Sequence, residues 1–429
     1  MRIGTPRGGW WVVGGGATLL TVQNGLIMAA FGAYLVEVTA DTGWAVGVVA
    51  LGYAIVQLGN GFVAPLTGWC CDRVGTRAVA ACGSVLAASG FVLAALAGGE
   101  GQFLGAVVVI ALGCSACGIM PLTVAVVQAL PERRTLALGL LPSGVALGGL
   151  AVPLVVLALE SLGWRTTFLL VAAVLAGVGL VAGSVLPSRP PARGERPRAC
   201  VADEPAIAPA PAPAGPDDGG LSLRSALRTR AFWLLVAGHG SALVVVSAVN
   251  LHLVPLLIHH HDLSLTLAGM AVAAMSVAQL AGQVLIGLVG DRLDTRFVAA
   301  GAMSVQVVVL VALATVSAPA ALFGAAVVHG LAWGLRGPVM TTLRADYFGL
   351  ASFGAIMGWS MGFVSLGLVT GPLLVTAVEA GPGGYPAAML ALAAVTAAGT
   401  LAFVLLPRPG RAPDPARAAA EPAGRGRRP

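Results

Sequence analysis

The sequence predicts an all-α membrane protein in which twelve transmembrane helices form two six-helix bundles related by pseudo-two-fold symmetry. Three observations predict this fold: an apolar composition, twelve apolar runs of bilayer length, and an internal repeat. Hydrophobic residues make up 57% of the 429 residues and a further 59 residues are glycine, whereas both groups together make up roughly 45–50% of a soluble domain. Charged residues make up only 10%. Because so few polar side chains cannot cover the surface in water, we expect most of that surface to contact lipid.

Apolar runs of about 20 residues, the length that crosses a hydrocarbon core of about 30 Å as a helix, recur with short breaks. We assign spans 1 to 6 to residues 10–35, 44–66, 78–97, 102–126, 136–159 and 166–186, and spans 7 to 12 to residues 229–257, 266–289, 297–316, 320–343, 351–377 and 384–406. Two further stretches are rich in Pro, Ala and Arg, so they can bury little apolar surface and are expected to be disordered. The predicted domains are therefore a bundle at 1–186, a linker at 187–228, a bundle at 229–406 and a tail at 407–429.

The arginines predict the orientation, since positively charged residues concentrate in cytoplasmic loops. All 24 basic residues are arginine. If the N-terminus is inside, the short segments on the outer side hold only Arg165, while those on the inner side hold Arg2, Arg7, Arg73, Arg77, Arg133, Arg134, Arg292, Arg296 and Arg344. We therefore expect a multi-pass protein of the plasma membrane whose two termini, linker and tail are cytoplasmic.

An internal repeat at a constant offset of 219 residues relates the two halves. The repeated pairs are Gly68 and Gly287, Asp72 and Asp291, Arg73 and Arg292, Arg77 and Arg296, Gly105 and Gly324, Gly118 and Gly337, Gly139 and Gly358, Gly148 and Gly367, and Pro153 and Pro372. Six spans per half is an even number, so both halves enter the bilayer in the same orientation. Such parallel repeats are typical of secondary transporters that rock one half against the other around a site at the membrane midplane.

The segment from Gly68 to Arg77, between spans 2 and 3, closely resembles the loop signature of the major facilitator superfamily, and Gly287 to Arg296 is its second copy. The resemblance implies the fold of that superfamily and a gating role on the inner side, where the motif residues help to latch the two halves closed. The matching residues here are Asp72, Arg73, Arg77, Asp291, Arg292 and Arg296. The alternative is that these arginines only fix the topology.

Further motifs resemble bacterial members of the monocarboxylate-transporter-like branch of that superfamily. They are Arg133 to Gly139 with Gly163 to Arg165, Arg344 to Gly349 with Gly371-Pro372, and His252 to Pro255 near the outer end of span 7. The resemblance to the superfamily as a whole covers nearly the whole chain outside the linker and the tail.

Within the predicted spans, Arg336 is the clear case of a charged residue, and a charge at that depth costs at least about 2.5–3.5 kcal/mol and usually has a function. His329, Trp333 and Arg336 follow the spacing i, i+4, i+7, which places them on one face of span 10. If that face lines a central passage, Arg336 can donate paired hydrogen bonds to a carboxylate and His329 can carry a proton. The alternative is that Arg336 reaches the inner interface and only anchors the helix.

Spans 1 and 7 line the pathway in relatives, so their polar residues are further, weaker candidates for substrate binding. These residues are Asn24 on span 1 and Asn250 and His252 on span 7. The alternative for each is a hydrogen bond between helices. No Asp or Glu lies within any predicted span, so a cation would find no carboxylate there to compensate its desolvation. This absence favours an anionic cargo.

The sequence thus predicts a secondary active or facilitative transporter that moves a small, monocarboxylate-like organic anion, with a proton, by alternating access. One alternative is an exporter of a neutral or acidic metabolite or drug, and another is a membrane sensor that moves nothing. There is no phosphate-binding loop and no cluster of metal-ligating residues, so we do not expect an enzyme, a metal or a cofactor. The expected partners are the small molecule, the proton and the lipid bilayer, without nucleic acid, and the expected state is a monomer.

Overall fold

The structure is a computed structural model that describes residues 6–130, 137–138, 140–188, 221–349 and 352–407. Within these ranges the regular structure is helical, with no strand. Nine of the described helices are long and apolar enough to cross a bilayer, and one of them, Ser143–Val185, has 43 residues, enough for two crossings. The shorter apolar helix Val46–Gly59 and the more polar helix Pro319–Phe348 complete the twelve spans.

The first half contains spans 1 to 6. Its helices are Pro6–Gln23, the π-helical segment Asn24–Ala29 and Phe31–Thr42 in span 1; Val46–Phe62 and Ala64–Val74 in span 2; Thr76–Ala95 in span 3; Glu100–Cys117 and Ile119–Ala129 in span 4; Ser143–Gly148 and the 3₁₀ segment Gly149–Ala151 at the start of span 5; and Val152–Val185, which completes span 5 and forms span 6.

The second half contains spans 7 to 12. After the short helix Leu223–Ala226, its helices are Arg230–His259 in span 7, Leu265–Val289 in span 8 with the 3₁₀ turn Gly290–Arg292 after it, Thr295–Thr315 in span 9, Pro319–Phe348 in span 10, Phe353–Val364 and Leu366–Glu379 in span 11, and Gly384–Val404 in span 12.

Several helix boundaries differ from the predicted ones; spans 1 and 2, for example, continue to Thr42 and Val74 instead of ending at 35 and 66. Spans 5 and 6 follow each other without a longer loop, as two helices that meet at Gly163, whose φ of 74° and ψ of 166° are non-helical and whose positive φ favours glycine. Residues 223–226, within the predicted disordered linker, form a helical turn that Ser222 caps through its side chain; residues 189–220 lie outside the described ranges. Span 10 does not end before Arg344 but continues to Phe348, because no glycine or proline lies between Pro338 and Gly349.

The repeated glycines of spans 5 and 11 have one structural role in both halves. A Cβ atom on Gly148 would lie 2.7 Å from the backbone nitrogen of Gly25 in span 1, and one on Gly367 would lie 2.5 Å from the backbone oxygen of Gly240 in span 7. Spans 1 and 5, and likewise spans 7 and 11, therefore cross with their backbones in contact, which a side chain at either glycine would prevent.

The third span of each half is tied to the last span of the same half by a repeated arginine. Arg77 Nε donates to the backbone oxygen of Leu186 at 3.0 Å, and Arg296 Nη1 donates to that of Leu406 at 3.0 Å. We call the side of the bundle that holds these span ends the linker side, and the opposite side the distal side. Each half is thus closed into a unit at its own linker-side edge.

On the distal side the two halves pack against each other. Segment Phe31–Thr42 of span 1 contacts span 7, and Val46–Phe62 of span 2 contacts Leu366–Glu379 of span 11. A Cβ on Gly32 would lie 2.6 Å from the backbone oxygen of Leu251, so spans 1 and 7 cross closely. Thr266 of span 8 donates to the carboxylate of Glu160 between spans 5 and 6 at 2.9 Å. These contacts close the distal side.

Candidate functional site

The candidate site is a cavity of about 210 Å³ between the two halves, ample for a small organic molecule, since one water needs about 10–15 Å³. Spans 1, 2, 4, 5, 7, 10 and 11 all contribute to its lining. The polar side chains that line it are Gln23, Asn24, Tyr53, Gln57, Ser115, Ser247, Asn250, Trp333 and Ser365. Among the described residues that line the cavity, none carries a charge.

Interruptions of the helices lie at the cavity wall. Asn24 begins the π-helical segment of span 1, Gly118 separates the two helices of span 4, and Ser365 separates those of span 11; all three line the cavity. Non-helical backbone at membrane depth is tolerated where it faces a cavity rather than lipid. Of the three positions, Gly118 is non-helical, with φ −83° and ψ −159°, whereas Ser365 keeps helical angles and its N–H donates to the backbone oxygen of Met361.

Two polar contacts show how the cavity wall is built. Tyr53 on span 2 and Asn250 on span 7 both line the cavity, with the Tyr53 hydroxyl near the Asn250 side chain, so side chains of the two halves meet there. Gln23 donates to the backbone oxygen of Cys114 at 3.0 Å, and its buried Oε1 has no hydrogen-bond partner within the described part of the chain. That oxygen can accept a hydrogen bond from a molecule in the cavity.

Of the six residues that the sequence indicated for substrate binding, the structure brings Asn24, Asn250 and Trp333 together at the cavity. Asn24 also donates to the backbone oxygen of Val145 on span 5 at 2.7 Å, so it connects two helices as well. His252 is buried away from the cavity lining, with its Nε2 3.1 Å from the backbone oxygen of Pro372 on span 11. This contact is of the helix-connecting kind that we gave as the alternative.

Arg336 and His329 are buried inside the second half, with 0% and 1% of their surface exposed, and neither belongs to the cavity lining. The Arg336 guanidinium therefore faces neither lipid nor solvent. It lies one helical turn from Trp333, which lines the cavity, and close enough to His329 to interact electrostatically. In this conformation Arg336 lies behind the cavity wall and not in it.

The described contacts of the predicted gating residues lie within their own halves. The Arg73 guanidinium stacks 4.1 Å from the ring of Trp69, while Asp72 and Arg292 are exposed. Arg77 and Arg296 bind the span ends described above. The side chain of Asp291 lies outside the described part of the structure, as do residues Arg133, Arg134 and Gly139 of the branch motif. A latch between the halves remains a prediction for another conformation.

On the distal side, outside the predicted spans, Asp41 accepts two side-chain hydrogen bonds. Trp164 Nε1 donates to Asp41 Oδ2 at 2.7 Å and Arg165 Nη1 donates to the same oxygen at 2.9 Å. The hydrogen bonds from Trp164 and Arg165 lower the pKa of Asp41. A lowered carboxyl pKa favours the ionised form, so this contact persists at neutral pH. It is lost only as the pH falls below the ordinary pKa range of an aspartate carboxyl.

Sequence reasoning missed two sets of residues. Tyr53 and Gln57 on span 2 line the cavity, and their i, i+4 spacing was a usable signal of one polar face. Arg344 was assigned to a cytoplasmic break, yet it is 1% exposed and hydrogen-bonds His239 and Ser360 inside the second half. The reason is that span 10 continues past residue 343, which places this arginine among polar partners on spans 7 and 11.

Two like-oriented six-helix halves around a polar cavity define the class: a membrane transporter, not an enzyme. The sequence model of the Major Facilitator Superfamily matches residues 17–254 and 240–428. The chain therefore belongs to the major facilitator superfamily.

Comparison with individual proteins agrees with this assignment. The chain is 27% identical over 432 residues to human monocarboxylate transporter 11, with 94% of this chain and 84% of the human protein covered. It also resembles the crystal structure of a bacterial homologue of the human lysosomal transporter Spinster in an inward-facing and occupied conformation, with a TM-score of 0.70, 14% identity and coverage of 95% and 98%. The unoccupied form of that homologue gives a TM-score of 0.65 at 15% identity, with 95% of each chain covered.

Proposed function

We propose that the protein is an alternating-access carrier of a small, monocarboxylate-like organic anion that moves together with a proton. The observation that carries the proposal is the cavity between the two halves, whose described lining offers amide and hydroxyl donors but no carboxylate. An anion entering this cavity meets donors and no fixed negative charge. A cation would meet no group that compensates the loss of its water.

The second half supplies a positive charge behind these donors. Arg336 lies one helical turn from Trp333 of the cavity wall, and a charge in a low-dielectric interior acts over a longer distance than in water. The similarity to a human protein named as a monocarboxylate transporter supports the same class of cargo.

Alternating access is supported by an asymmetry in the contacts between the halves. On the distal side, spans 1 and 7 and spans 2 and 11 pack across the interface, and span 5 packs on span 8 along its length from Ser143–Gly148 onward. On the linker side, Ala64–Val74 of span 2 packs mainly against spans 3 and 4, and Phe353–Val364 of span 11 mainly against spans 7 and 10. These segments contact their own halves, so we infer that the cavity opens toward the linker side in this conformation.

The domain boundaries, orientation and monomeric state belong to the same proposal. We infer a carrier of the plasma membrane, with units at 1–186 and 229–406 joined by a cytoplasmic linker at 187–228 and followed by a cytoplasmic tail at 407–429. The arginines of the short loops support this orientation. Protease protection of tags at the two termini in intact cells tests it.

The decisive experiment is uptake of a panel of labelled organic acids into proteoliposomes, with and without an imposed pH gradient. Asn250→Asp places a carboxylate at the cavity, beside Tyr53, with almost no change in side-chain volume. We expect anion uptake to fall about tenfold or more in Asn250→Asp, because like charges repel strongly where water is scarce. Asn250→Ala is the matched control, because it removes the amide without adding charge, and should lose less. Equal loss in both variants would contradict an anionic cargo.

A neutral polar metabolite is the second candidate, and the uncharged lining of the cavity favours it. Such a cargo needs hydrogen-bond partners but no compensating charge, so its transport should tolerate Asn250→Asp. Binding without accumulation in the same proteoliposomes would instead identify a sensor.

A further inference from the structure

A buried group of three polar side chains joins spans 7, 10 and 11 in the linker-side part of the second half. His239, Arg344 and Ser360 are 0%, 1% and 1% exposed. The Arg344 guanidinium donates through Nη2 to His239 Nδ1 at 2.8 Å and through Nε to Ser360 Oγ at 2.9 Å. Its Nη1 donates to the backbone oxygen of Met340, one turn earlier on its own helix, at 3.0 Å.

This geometry determines the protonation state of His239. A guanidinium has five N–H donors and no acceptor, so His239 Nδ1 must be the acceptor and cannot carry a proton. The imidazole is therefore neutral, with its proton on Nε2. Adding a proton at Nδ1 would set two donors and two positive charges against each other at 2.8 Å, so protonated His239 and the Arg344 contact exclude each other.

Among the described residues, Arg344 is a charged group in direct contact with His239, and the ionisable groups on the elements around span 7 are as follows. Spans 8 and 9 bring no Asp, Glu or His into their helices, and neither do Phe353–Val364 and the π-helical segment of span 1. Leu366–Glu379 and Gly384–Val404 carry Glu379 and Tyr385 at their distal ends, and the distal helix of span 1 carries Tyr34, Glu37 and Asp41. Span 10 carries His329, Arg336, Asp346 and Tyr347 besides Arg344.

The contact to Ser360 connects this group to the cavity. Ser360 lies on Phe353–Val364, the linker-side helix of span 11, and that helix ends at the interruption where Ser365 lines the cavity. Arg344 thus holds the linker-side helix of span 11 against spans 7 and 10. Loss of the His239 contact would leave that helix held less tightly at the point where it meets the cavity.

We propose that His239 is a proton-binding site, and that its protonation breaks the contact with Arg344 and frees the linker-side helix of span 11. The proposal rests on the carrier function proposed above and adds where the proton binds and which helix responds. It assigns the proton to a histidine on span 7 that contacts an arginine on span 10, whereas the sequence had indicated His329.

His239→Gln tests the proposal, because the glutamine oxygen can accept the bond from Arg344 but does not bind a proton. Hydrogen–deuterium exchange of peptides from 353–364 is measured on full-length protein in nanodiscs between about pH 8 and about pH 4.5, a range that brackets ordinary histidine titration. Labelling times are scaled to the intrinsic exchange rate at each pH. In the wild type we expect protection to fall about tenfold on acidification, the order expected for losing a charged hydrogen bond; in His239→Gln it should not change with pH.

Two further variants keep the result interpretable. His260→Gln removes an exposed distal histidine and should respond to acid as the wild type does. Ser360→Ala removes the tie to span 11 without changing His239, so its protection should be low at every pH. An acid response in His239→Gln equal to that of the wild type, or no response in the wild type, overturns the proposal. Exchange requires no cargo, so failure of the wild type to take up any organic acid would refute the carrier function while leaving this result standing.

Discussion

The two halves of the molecule share their backbone packing but not their interiors. Within the described residues, the buried polar side chains of the first half are hydroxyls and one amide, namely Gln23, Thr67, Thr76, Ser84, Ser115 and Thr167. The second half also buries three histidines and two arginines, namely His239, His252, His329, Arg336 and Arg344. The groups that can carry charge are therefore concentrated on one side of the cavity.

The described helices of the first half are interrupted more often than those of the second half. In the first half, spans 1, 2, 4 and 5 are interrupted, whereas the described interruption in the second half is that of span 11. An interruption frees backbone N–H and C=O groups that must find partners. The first half thus offers the cavity neutral side chains and the non-helical position Gly118, and the second half holds ionisable side chains behind the cavity wall. Two copies of one fold can therefore share their backbone packing while only one of them carries the buried ionisable side chains.

The largest expected effect comes from removing Arg336, one of the two buried arginines that distinguish the interior of the second half from that of the first. Arg336→Gln should lower uptake of an organic anion about a hundredfold, because a buried hydrogen-bonding cation contributes on the order of 2–3 kcal/mol. Arg165→Gln, at an exposed arginine of the first half, is the matched control and should stay within about twofold of the wild type. Uptake is measured in proteoliposomes at equal protein content, with thermal unfolding as the check on folding. Unchanged uptake by Arg336→Gln would remove this arginine from the transport mechanism.

The next effect tests the feature that the halves share. Gly148→Ala and Gly367→Ala each force a methyl group into a backbone contact under 3 Å, so each should lower the free energy of unfolding by about 1–3 kcal/mol. The controls are Gly105→Ala and Gly324→Ala, a repeated pair whose Cβ positions are open; there the substitution should be neutral or stabilising. Denaturation in detergent provides the measurement. A large loss of stability in only one of the two variants would show that the two helix crossings do not contribute equally to the free energy of unfolding.

The fold was predictable from sequence because its signals are local and repeated. Run length gives the spans, and the recurrence of Gly148 as Gly367 marks equivalent crossings. The site was predicted less well, since Tyr53 and Asn250 meet only when the halves are assembled, and no local pattern encodes that contact. Arg344 shows the same limit: an arginine near the end of an apolar run looks like a loop residue until its partners on other spans, His239 and Ser360, are known.

The smallest expected effect concerns the repeated acidic pair of the loop motif. Asp72 is exposed in this conformation, so Asp72→Asn should leave thermal stability unchanged. If the residue latches the halves in the other state, its loss should shift the population toward opening on the linker side by about two- to fivefold, the range of a weak ion pair. Labelling of Val246→Cys, at the cavity wall, with an impermeant maleimide from each side of a cysteine-free background reports that population. Asp291→Asn is the matched variant in the second half. A shift in both variants would show that Asp72 and Asp291 contribute equally to the gate. A shift in one variant would show that only that half supplies a gating carboxylate. Labelling equal to the wild type in both variants would contradict a role of these carboxylates in the latch.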